Sequence, residues 1–204
     1  MVELLIASRN RGKVTEIREI LYLKNVDLLD LHELSFEGEI EESGDTFEEN
    51  ALIKARAVFH RYSRPVIADD SGLVVPYLEG EPGVRSARYA GPNATVRENN
   101  DLLLSRLRDA EGKERDAFFR CVAVFYVGPK QYQTAEGTVH GTITRELHGT
   151  GGFGYDPLFY VEQYGRTMAQ LADARKNAIS HRGKAFRALK RHVIAYLAEH
   201  DVVE

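Results

Sequence analysis

Strand-like and helix-like segments alternate along this chain, and the alternation constrains its fold more than any other feature. Apolar runs at 2–7 and 65–68 predict buried strands. The runs 117–127 and 131–146 predict two long strands, joined in a hairpin around Gly128-Pro129. Apolar residues recur at helical spacing in four stretches, which are 11–23, 46–62, 95–107 and 180–199. The pattern predicts an α/β fold around a mixed sheet, and the hairpin favours two lobes over a regular doubly wound sheet.

The glycine-rich segment Gly149–Asp156 (GTGGFGYD) matches the G-x-G-x-x-G motif, but its context excludes a dinucleotide-binding fold. That motif ends a strand and opens a helix, whose N-terminus binds the pyrophosphate. Here Pro157 and the strand-like LFYV follow instead, and no HRD or DFG segment supports a kinase loop. We expect a flexible loop that presents Phe153, Tyr155 and Asp156 to a flat ligand, with a simple turn as the alternative.

Composition narrows the classes of function. A net charge of -4 over 204 residues argues against a general nucleic-acid binder, which needs a broad basic surface. The N-terminus lacks the pattern of a signal peptide, and no run of apolar residues is long enough to span a membrane. Cys121 stands alone in an apolar run, which predicts a buried residue without a disulfide. These observations predict a cytoplasmic protein.

The segment SRNRGK, Ser8–Lys13, lies between the first predicted strand and the first helix. Asn10 is a good N-cap, and free backbone N–H groups at a helix start form an anion site. Lys13 places a positive charge in the first turn, where an acidic residue is normally favoured. A bound phosphate would account for this inversion, and an ordinary capped helix with a solvated lysine is the alternative.

Carboxylates form a second group. Glu41 and Glu42 lie in a turn-rich stretch, and Asp69-Asp70 is predicted to close the second buried strand. Oxygen ligands of this kind suit a hard cation such as Mg²⁺. Solvated surface acids are the alternative, and no His/Cys cluster has zinc spacing.

Basic residues form a third group. Ser180 is predicted to cap the last helix, so His181 and Arg182 fall in its first turn, where positive charge is unfavourable. Lys176 precedes them, and Lys54 shares a helix face with Asn50. Arginine can bond the O6/N7 edge of a purine. Each residue taken singly is better explained as an ordinary surface residue than as a ligand.

Together these residues resemble a known family. SxNxxK near the N-terminus, ESGxTFxENAxxKA over 42–55, ADDSGL over 68–73, PGVRSARYAG over 82–91, GTGGFGYDPLF over 149–159 and ISHRGKA over 179–185 follow in that order. The set is similar to the HAM1/RdgB family of inosine triphosphate pyrophosphatases and spans nearly the whole chain. Ser8 stands where many members have threonine, which keeps the hydroxyl group.

The resemblance implies a fold and an activity. It implies a single ITPase-like domain over 1–204, with a two-lobed α/β architecture, a central mixed sheet flanked by helices and an active-site cleft between the lobes. Members hydrolyse purine nucleoside triphosphates with non-standard bases (ITP, dITP and XTP) to the monophosphate and pyrophosphate. They are Mg²⁺-dependent homodimers that cleanse the nucleotide pool.

The resemblance also implies roles for individual residues. Asp70 is the predicted catalytic residue, as the base for the attacking water or as a group that orients it. Glu42 and Asp70 are the predicted Mg²⁺ ligands, and Glu42 is preferred to Glu41 because it directly precedes the Ser-Gly turn. The predicted substrate-binding residues are Ser8, Arg9, Asn10, Arg11, Gly12, Lys13, Lys54, Ser71, Phe153, Gly154, Tyr155, Asp156, Lys176, His181 and Arg182.

The predicted mechanism is in-line attack of water on the α-phosphorus, for which the protein mainly neutralises and aligns charge. Lys176, His181 and Arg182 are expected to read the base edge, while Phe153 stacks on the ring. Two alternatives stay open. One is a Maf-type pyrophosphatase that acts on modified pyrimidines, and the other is a nucleotide-binding regulator without turnover.

Overall fold

A computed structural model of the chain describes residues 2–200. Within that range seven strands form one sheet, in the order β2-β1-β3-β4-β5-β6-β7. They are β1 (Val2–Ile6), β2 (Val26–Asp30), β3 (Val66–Val74), β4 (Asp116–Gly128), β5 (Gln131–Ile143), β6 (Phe159–Val161) and β7 (Arg166–Thr167). β1 pairs parallel with β2 and β3, whereas β6 pairs antiparallel with β5 and β7. The predicted α/β fold with a mixed sheet is confirmed.

Several helices begin at a residue whose side chain caps them. They are α1 (Arg11–Ile20), α2 (Phe47–Tyr62), α3 (Val96–Arg106), α4 (Asp173–Ile179) and α5 (His181–Glu199). Asn10 accepts a hydrogen bond from the Lys13 backbone at the start of α1. Thr46 and Glu49 form a complete capping box on α2. Such caps satisfy N–H groups that the first helical turn leaves unpaired.

Several elements differ from the sequence prediction. The second predicted strand was placed at 65–68, but β3 continues to Val74 and carries Asp69 and Asp70 in its interior. A carboxylate inside a buried strand is costly unless it is paired, and both acids have cationic partners from distant segments. β2 and α4 were not predicted. β2 reads VDLLD, whose two acids interrupt an apolar strand pattern, and α4 has only seven residues.

The described residues divide into two compact units. Unit 1 comprises the described parts of Met1–Asp70, Cys121–Gly137 and Arg182–Glu204. Unit 2 comprises Ser71–Arg120 and Thr138–His181. Two lobes were predicted, and two units are found. The predicted cleft stays a prediction.

Unit 1 contains two apolar clusters, and β1 contributes to both. Leu4 and Ile6 pack with residues of α1 and α5, whereas Leu5 packs with α2. Successive side chains of a strand point to opposite faces, which explains this division. Cys121 is fully buried in the cluster of α1 and α5, as predicted, and burial raises the pKa of its thiol.

Unit 2 has one apolar cluster, which surrounds α3 and the strand segments of this unit. Leu103 and Leu107 pack there with Phe119, Tyr155 and Phe159. Tyr155 and Phe159 flank a tight turn, so the end of the glycine-rich segment is anchored in this core. No helix among residues 2–200 is long and apolar enough to cross a membrane.

Candidate active site

The Ser8–Lys13 segment forms a polar loop between β1 and α1. The Asn10 backbone N–H donates to Ser8 Oγ at 3.2 Å, and the Lys13 backbone N–H donates to Asn10 Oδ1 at 3.1 Å. The first turn of α1 contains no acidic residue. Lys13 Nζ instead lies 3.3 Å from Asp69 Oδ2, in the middle of β3. The loop therefore combines a helix N-terminus with a lysine that is held in place rather than fully solvated.

Arg9 and Arg11 differ in their surroundings. Arg11 is an exposed residue in the first turn of α1, next to Gly12. The Arg9 guanidinium donates instead to the backbone carbonyls of Phe36 and Gly38, both at 2.6 Å. The predicted binding of phosphate by Arg9 stays a prediction, and its observed partners belong to the segment that precedes α2.

Lys54 joins the two predicted metal ligands. Its Nζ lies 3.2 Å from Glu42 Oε2 and 3.5 Å from Asp70 Oδ1. Asn50 lies one turn earlier on α2, on the same face as predicted, and its Nδ2 donates to Asp70 Oδ2 at 3.3 Å. These contacts bring the predicted residues Glu42, Lys54 and Asp70 together, with Asn50 beside them.

Burial and charge shift two pKa values in this cluster. Burial is the largest effect on Asp70, and it raises the pKa of the carboxyl above its usual 3.8 although Lys54 opposes the change. Burial would lower the pKa of Lys54, but Asp70 and Glu42 outweigh burial and raise it above 10.5. Asp70 is therefore a better proton acceptor than an exposed aspartate, beside a lysine that stays charged.

Asp69 has the opposite character to its neighbour. Its Oδ2 pairs with Lys13 and, at 3.3 Å, with Arg182 Nη2. Burial would raise the pKa of Asp69, but Lys13 and Arg182 outweigh burial and hold it well below the usual range. Arg182 is 1% exposed, and its Nη1 lies 2.6 Å from Glu16 Oε2. These described contacts of Arg182 lie within unit 1, and its predicted contact with a base stays a prediction.

Glu42 and Asp70 are suitable ligands for Mg²⁺ in chemical terms. Among residues 2–200, no group of three His, Cys, Asp or Glu side chains is arranged to hold a metal ion. Mg²⁺ needs fewer protein ligands than three, because it is usually held by one or two carboxylates together with water and substrate phosphates. The two carboxylates already converge on one positive charge, that of Lys54. The donor set therefore fits the predicted cofactor.

In unit 2, Asp156 organises the glycine-rich segment. Its Oδ2 accepts hydrogen bonds from the Phe153 backbone at 2.8 Å and from Lys176 Nζ at 2.6 Å. Lys176 Nζ also lies 4.8 Å from the centroid of the Phe153 ring. A Cβ atom at Gly152 would overlap Asp156 Oδ2, and the φ of Gly152 is +70°. Only glycine fits there without strain or displacement of the carboxylate.

Two members of this segment are not presented as the sequence predicted. Tyr155 is 5% exposed and Asp156 is 4% exposed, so both side chains face the interior of unit 2. The Tyr155 hydroxyl donates to the Ser86 carbonyl at 2.8 Å, because a buried phenol needs a partner. Phe153 alone of the three aromatic or acidic residues is half-buried. The segment is a supported turn, and a ligand role for Tyr155 and Asp156 stays a prediction.

The remaining predicted residues of unit 2 are His181, Gly154 and Ser71. The His181 ring stacks on Phe119, with centroids 4.8 Å apart and planes at 14°. The Gly154 carbonyl accepts a hydrogen bond from Asn100 Nδ2 at 3.2 Å. Ser71 is half-buried within β3, directly after Asp70.

The family model described as the Ham1 family matches residues 4–192. The chain belongs to the Ham1 family. A dITP/XTP pyrophosphatase from Geobacter sulfurreducens is 50% identical over 95% of this chain and 97% of that protein. One from Bacillus subtilis is 46% identical over 94% of this chain and 96% of its own.

Solved structures give the same result for this Ham1 family member. A HAM1 protein from Coxiella burnetii has a TM-score of 0.86 and 41% identity, covering 96% of this chain and all of that one. The Ham1 protein of Staphylococcus aureus has a TM-score of 0.83 and 40% identity, covering 95% and 99%. The α/β fold is thus shared along nearly the whole length.

Sequence reasoning did not find three residues of this Ham1 protein that contact the predicted ones. Glu16 pairs with Arg182, Phe119 stacks on His181, and Asn100 holds Gly154. Glu16 carried a signal, because an acid one turn after Lys13 lies on the same face of α1. Phe119 and Asn100 carried none, since an aromatic in a strand and an asparagine in a helix are explained by packing.

Proposed function

We propose that the protein hydrolyses purine nucleoside triphosphates with non-standard bases, namely ITP, dITP and XTP, to the monophosphate and pyrophosphate. The observation that carries the proposal is the convergence of Glu42 and Asp70 on Lys54, beside a loop that leads into the N-terminus of α1. Such a cluster suits a polyphosphate and its cation. The names of the similar proteins, dITP/XTP pyrophosphatases, support the substrate class.

The phosphates are proposed to bind to unit 1. The backbone N–H groups of the loop and of the first turn of α1 would donate to phosphate oxygens, and Ser8, Asn10 and Gly12 belong to this segment. Lys13 and Lys54 supply positive charge. Both lysines are paired with carboxylates here, so a triphosphate would exchange those contacts for its own oxygens. The binding charge is thus kept in position, and little ordering is needed when substrate arrives.

Mg²⁺ is the proposed cofactor, with Glu42 and Asp70 as its protein ligands. When bound, it would neutralise phosphate charge and favour ionisation of nearby water. The residues of the chain do the rest. Lys54 holds the two carboxylates together, and Asn50 fixes the second oxygen of Asp70.

The chemical step is proposed to be in-line attack of a water oxygen on the α-phosphorus. The bond from that phosphorus to the bridging oxygen breaks, and pyrophosphate leaves with the electron pair. Asp70 accepts the proton of the water or orients it. Burial raises the pKa of Asp70 in the metal-free protein and favours proton acceptance, whereas bound Mg²⁺ would oppose it and leave Asp70 to orient the water. Asp69, with its lowered pKa, is poorly suited to that role.

The base is proposed to contact residues of unit 2. Phe153 would stack on the ring, with Gly154, Tyr155 and Asp156 shaping the turn beside it. Lys176 and His181 would donate to the 6-oxo group. Arg182 is proposed to contact the base edge as well, although its guanidinium is already bonded to two carboxylates. An adenine amino group would leave such donors unpaired, at a cost of about 1–3 kcal/mol each. Ser71 is the remaining proposed substrate contact.

Three wider features stay predictions from the family resemblance. They are a single ITPase-like domain over 1–204, a homodimer and a cytoplasmic location. A sedimentation experiment at several protein concentrations would test the homodimer.

The test of the activity is product analysis. The protein and Mg²⁺ are incubated separately with ITP, XTP, dATP, GTP and dTTP, and pyrophosphate is resolved from orthophosphate. We expect monophosphate and pyrophosphate from ITP and XTP, with little product from the others. Release of orthophosphate would indicate a phosphatase, and hydrolysis led by dTTP would indicate a Maf-type enzyme. Binding without turnover would indicate a regulator.

A further inference from the structure

Arg9 connects the Ser8–Lys13 loop to the segment that precedes α2. Its Nη2 donates to the carbonyl oxygens of Phe36 and Gly38, at 2.6 Å each. Its guanidinium carbon also lies 5.7 Å from the centroid of the Phe36 ring. Arg61, in the last turn of α2, lies 5.8 Å from the same ring. Phe36 therefore has two arginines near its ring, of which Arg9 also bonds the local backbone.

The segment held by Arg9 leads to Glu42. Residues 36–44 form neither helix nor strand. The far end of the segment is fixed to α2, because Gly44 N donates to Asn50 Oδ1 at 2.8 Å and Asn50 Nδ2 donates back to Gly44 O at 3.2 Å. Glu42 thus lies between two anchors, Arg9 at Gly38 and Asn50 at Gly44.

Each anchor reduces the conformational freedom of the acid. A flexible segment loses conformational entropy when one of its side chains is fixed in a binding site. The loss is smaller when both ends of the segment are already fixed. The φ of Gly38 is +84°, in the left-handed region that glycine adopts without a steric cost. The Arg9 contacts select this conformation through hydrogen bonds from a charged donor, which are stronger than neutral ones.

We propose that Arg9 is a positioning residue, which holds the 36–44 segment so that Glu42 stays next to Lys54 and is ready to bind the cation. The proposal rests on the proposed function in assigning Glu42 to Mg²⁺. It assigns Arg9 to positioning rather than to phosphate binding, and the second test below decides between the two roles. Arg9 acts through Glu42 and does not touch the reacting atoms.

The first test is hydrogen exchange of the 36–44 segment in protein free of metal and nucleotide. Arg9→Met keeps the length of the side chain and removes its donors. Arg61→Met is the matched control, because Arg61 lies near the same Phe36 ring without a described hydrogen bond to the segment. We expect exchange in the segment to accelerate about tenfold in Arg9→Met, as loss of about one charge-assisted hydrogen bond predicts, and much less in Arg61→Met. Equal exchange in the two variants would overturn the proposal.

The second test separates Mg²⁺ from nucleotide. In Arg9→Met we expect the Mg²⁺ concentration for half-maximal ITP hydrolysis to rise about tenfold, whereas the KM for ITP at saturating Mg²⁺ changes little. A raised KM for ITP with an unchanged Mg²⁺ requirement would show a direct phosphate contact and overturn the proposal. If the unmodified protein hydrolyses no triphosphate, the proposed function fails, and the exchange experiment alone decides the role of Arg9 in the segment.

Discussion

The two clusters of predicted site residues are built in different ways. In unit 1, charged side chains neutralise one another, as Lys54 does with Glu42 and Asp70. In unit 2, the ion pair Asp156–Lys176 supports a turn, and backbone geometry and ring packing accompany it. The cluster in unit 1 is therefore held mainly by ion pairs, and the cluster in unit 2 mainly by backbone conformation and packing.

This difference indicates how the two clusters should respond to substitution. Charges held by other charges can be transferred to a ligand of the same kind, so changes in unit 1 should affect binding of phosphate and the rate of the chemical step. A turn fixed by glycine and a buried carboxylate can discriminate between bases only by their shape and hydrogen-bonding groups. Changes in unit 2 should therefore affect the KM and the preference between bases. The predictions below test this division.

The largest expected effect is that of Asp70→Asn. Loss of the proton acceptor or orienting group should lower kcat for ITP about 10³-fold. Asp45→Asn is the control, because Asp45 is an exposed acid just before α2. Steady-state kinetics with both variants tests the prediction, and equal activity of the two would remove Asp70 from the chemical step.

Gly152→Ala should affect selection rather than rate. The new Cβ overlaps Asp156 Oδ2, and alanine at positive φ adds about 1–2 kcal/mol of strain, so the KM for ITP should rise about tenfold or more while kcat is retained. Gly165→Ala has a similar φ of +60° with its nearest neighbour 3.8 Å away, and it controls for strain alone. A fall in kcat with constant KM would contradict the division of roles.

Asp69 and Asp70 should have opposite effects on stability in metal-free buffer. The folded pKa of Asp69 is lowered, so its contribution is present above the unfolded pKa near 3.8 and is lost as the pH falls through the folded value. Asp69→Asn should therefore reduce the free energy of unfolding at pH 7. The folded pKa of Asp70 is raised, so its contribution is lost as the pH rises through that value, and Asp70→Asn should increase the free energy. Urea unfolding measures the free energy of unfolding of both variants, and changes of the same sign would refute the opposite pKa shifts of Asp69 and Asp70.

The smallest expected effect is that of Phe119→Leu. Loss of the ring that stacks on His181 should reduce the discrimination between ITP and GTP about threefold, in line with the energy of an aromatic pair. Phe118→Leu is the matched control, since the neighbouring ring contacts His140 on the other face of β4. Equal discrimination by the two variants would show that Phe119 does not position His181.

Much of the fold could be predicted from local sequence, because local rules decide it. The capping box of Thr46 and Glu49 begins α2, and the spacing of Ala185, Leu189 and Val193 gives the buried face of α5. These features depend on residues within a few positions of one another. The hairpin of β4 and β5 follows for the same reason, since two strand patterns flank a short turn.

The pairing of charges could not be predicted in this way. Arg182 meets Glu16 across 166 positions of sequence and Asp69 across 113. Without those partners, Asp69 appears in the sequence as an acid that must end a strand, and β3 was therefore predicted too short. Charges can lie in the middle of a buried strand only when distant charges compensate them, and a local pattern does not contain that information.

The most direct test of the division between the two clusters is inhibition by tripolyphosphate, which carries the phosphates without a base. Its inhibition constant for ITP hydrolysis is measured in the unmodified protein, in Lys13→Met and in Gly152→Ala. We predict that the constant rises about tenfold in Lys13→Met and stays the same in Gly152→Ala, although the latter has a raised KM for ITP. An increase of similar size in both variants would contradict the account, because phosphate and base would then depend on the same residues.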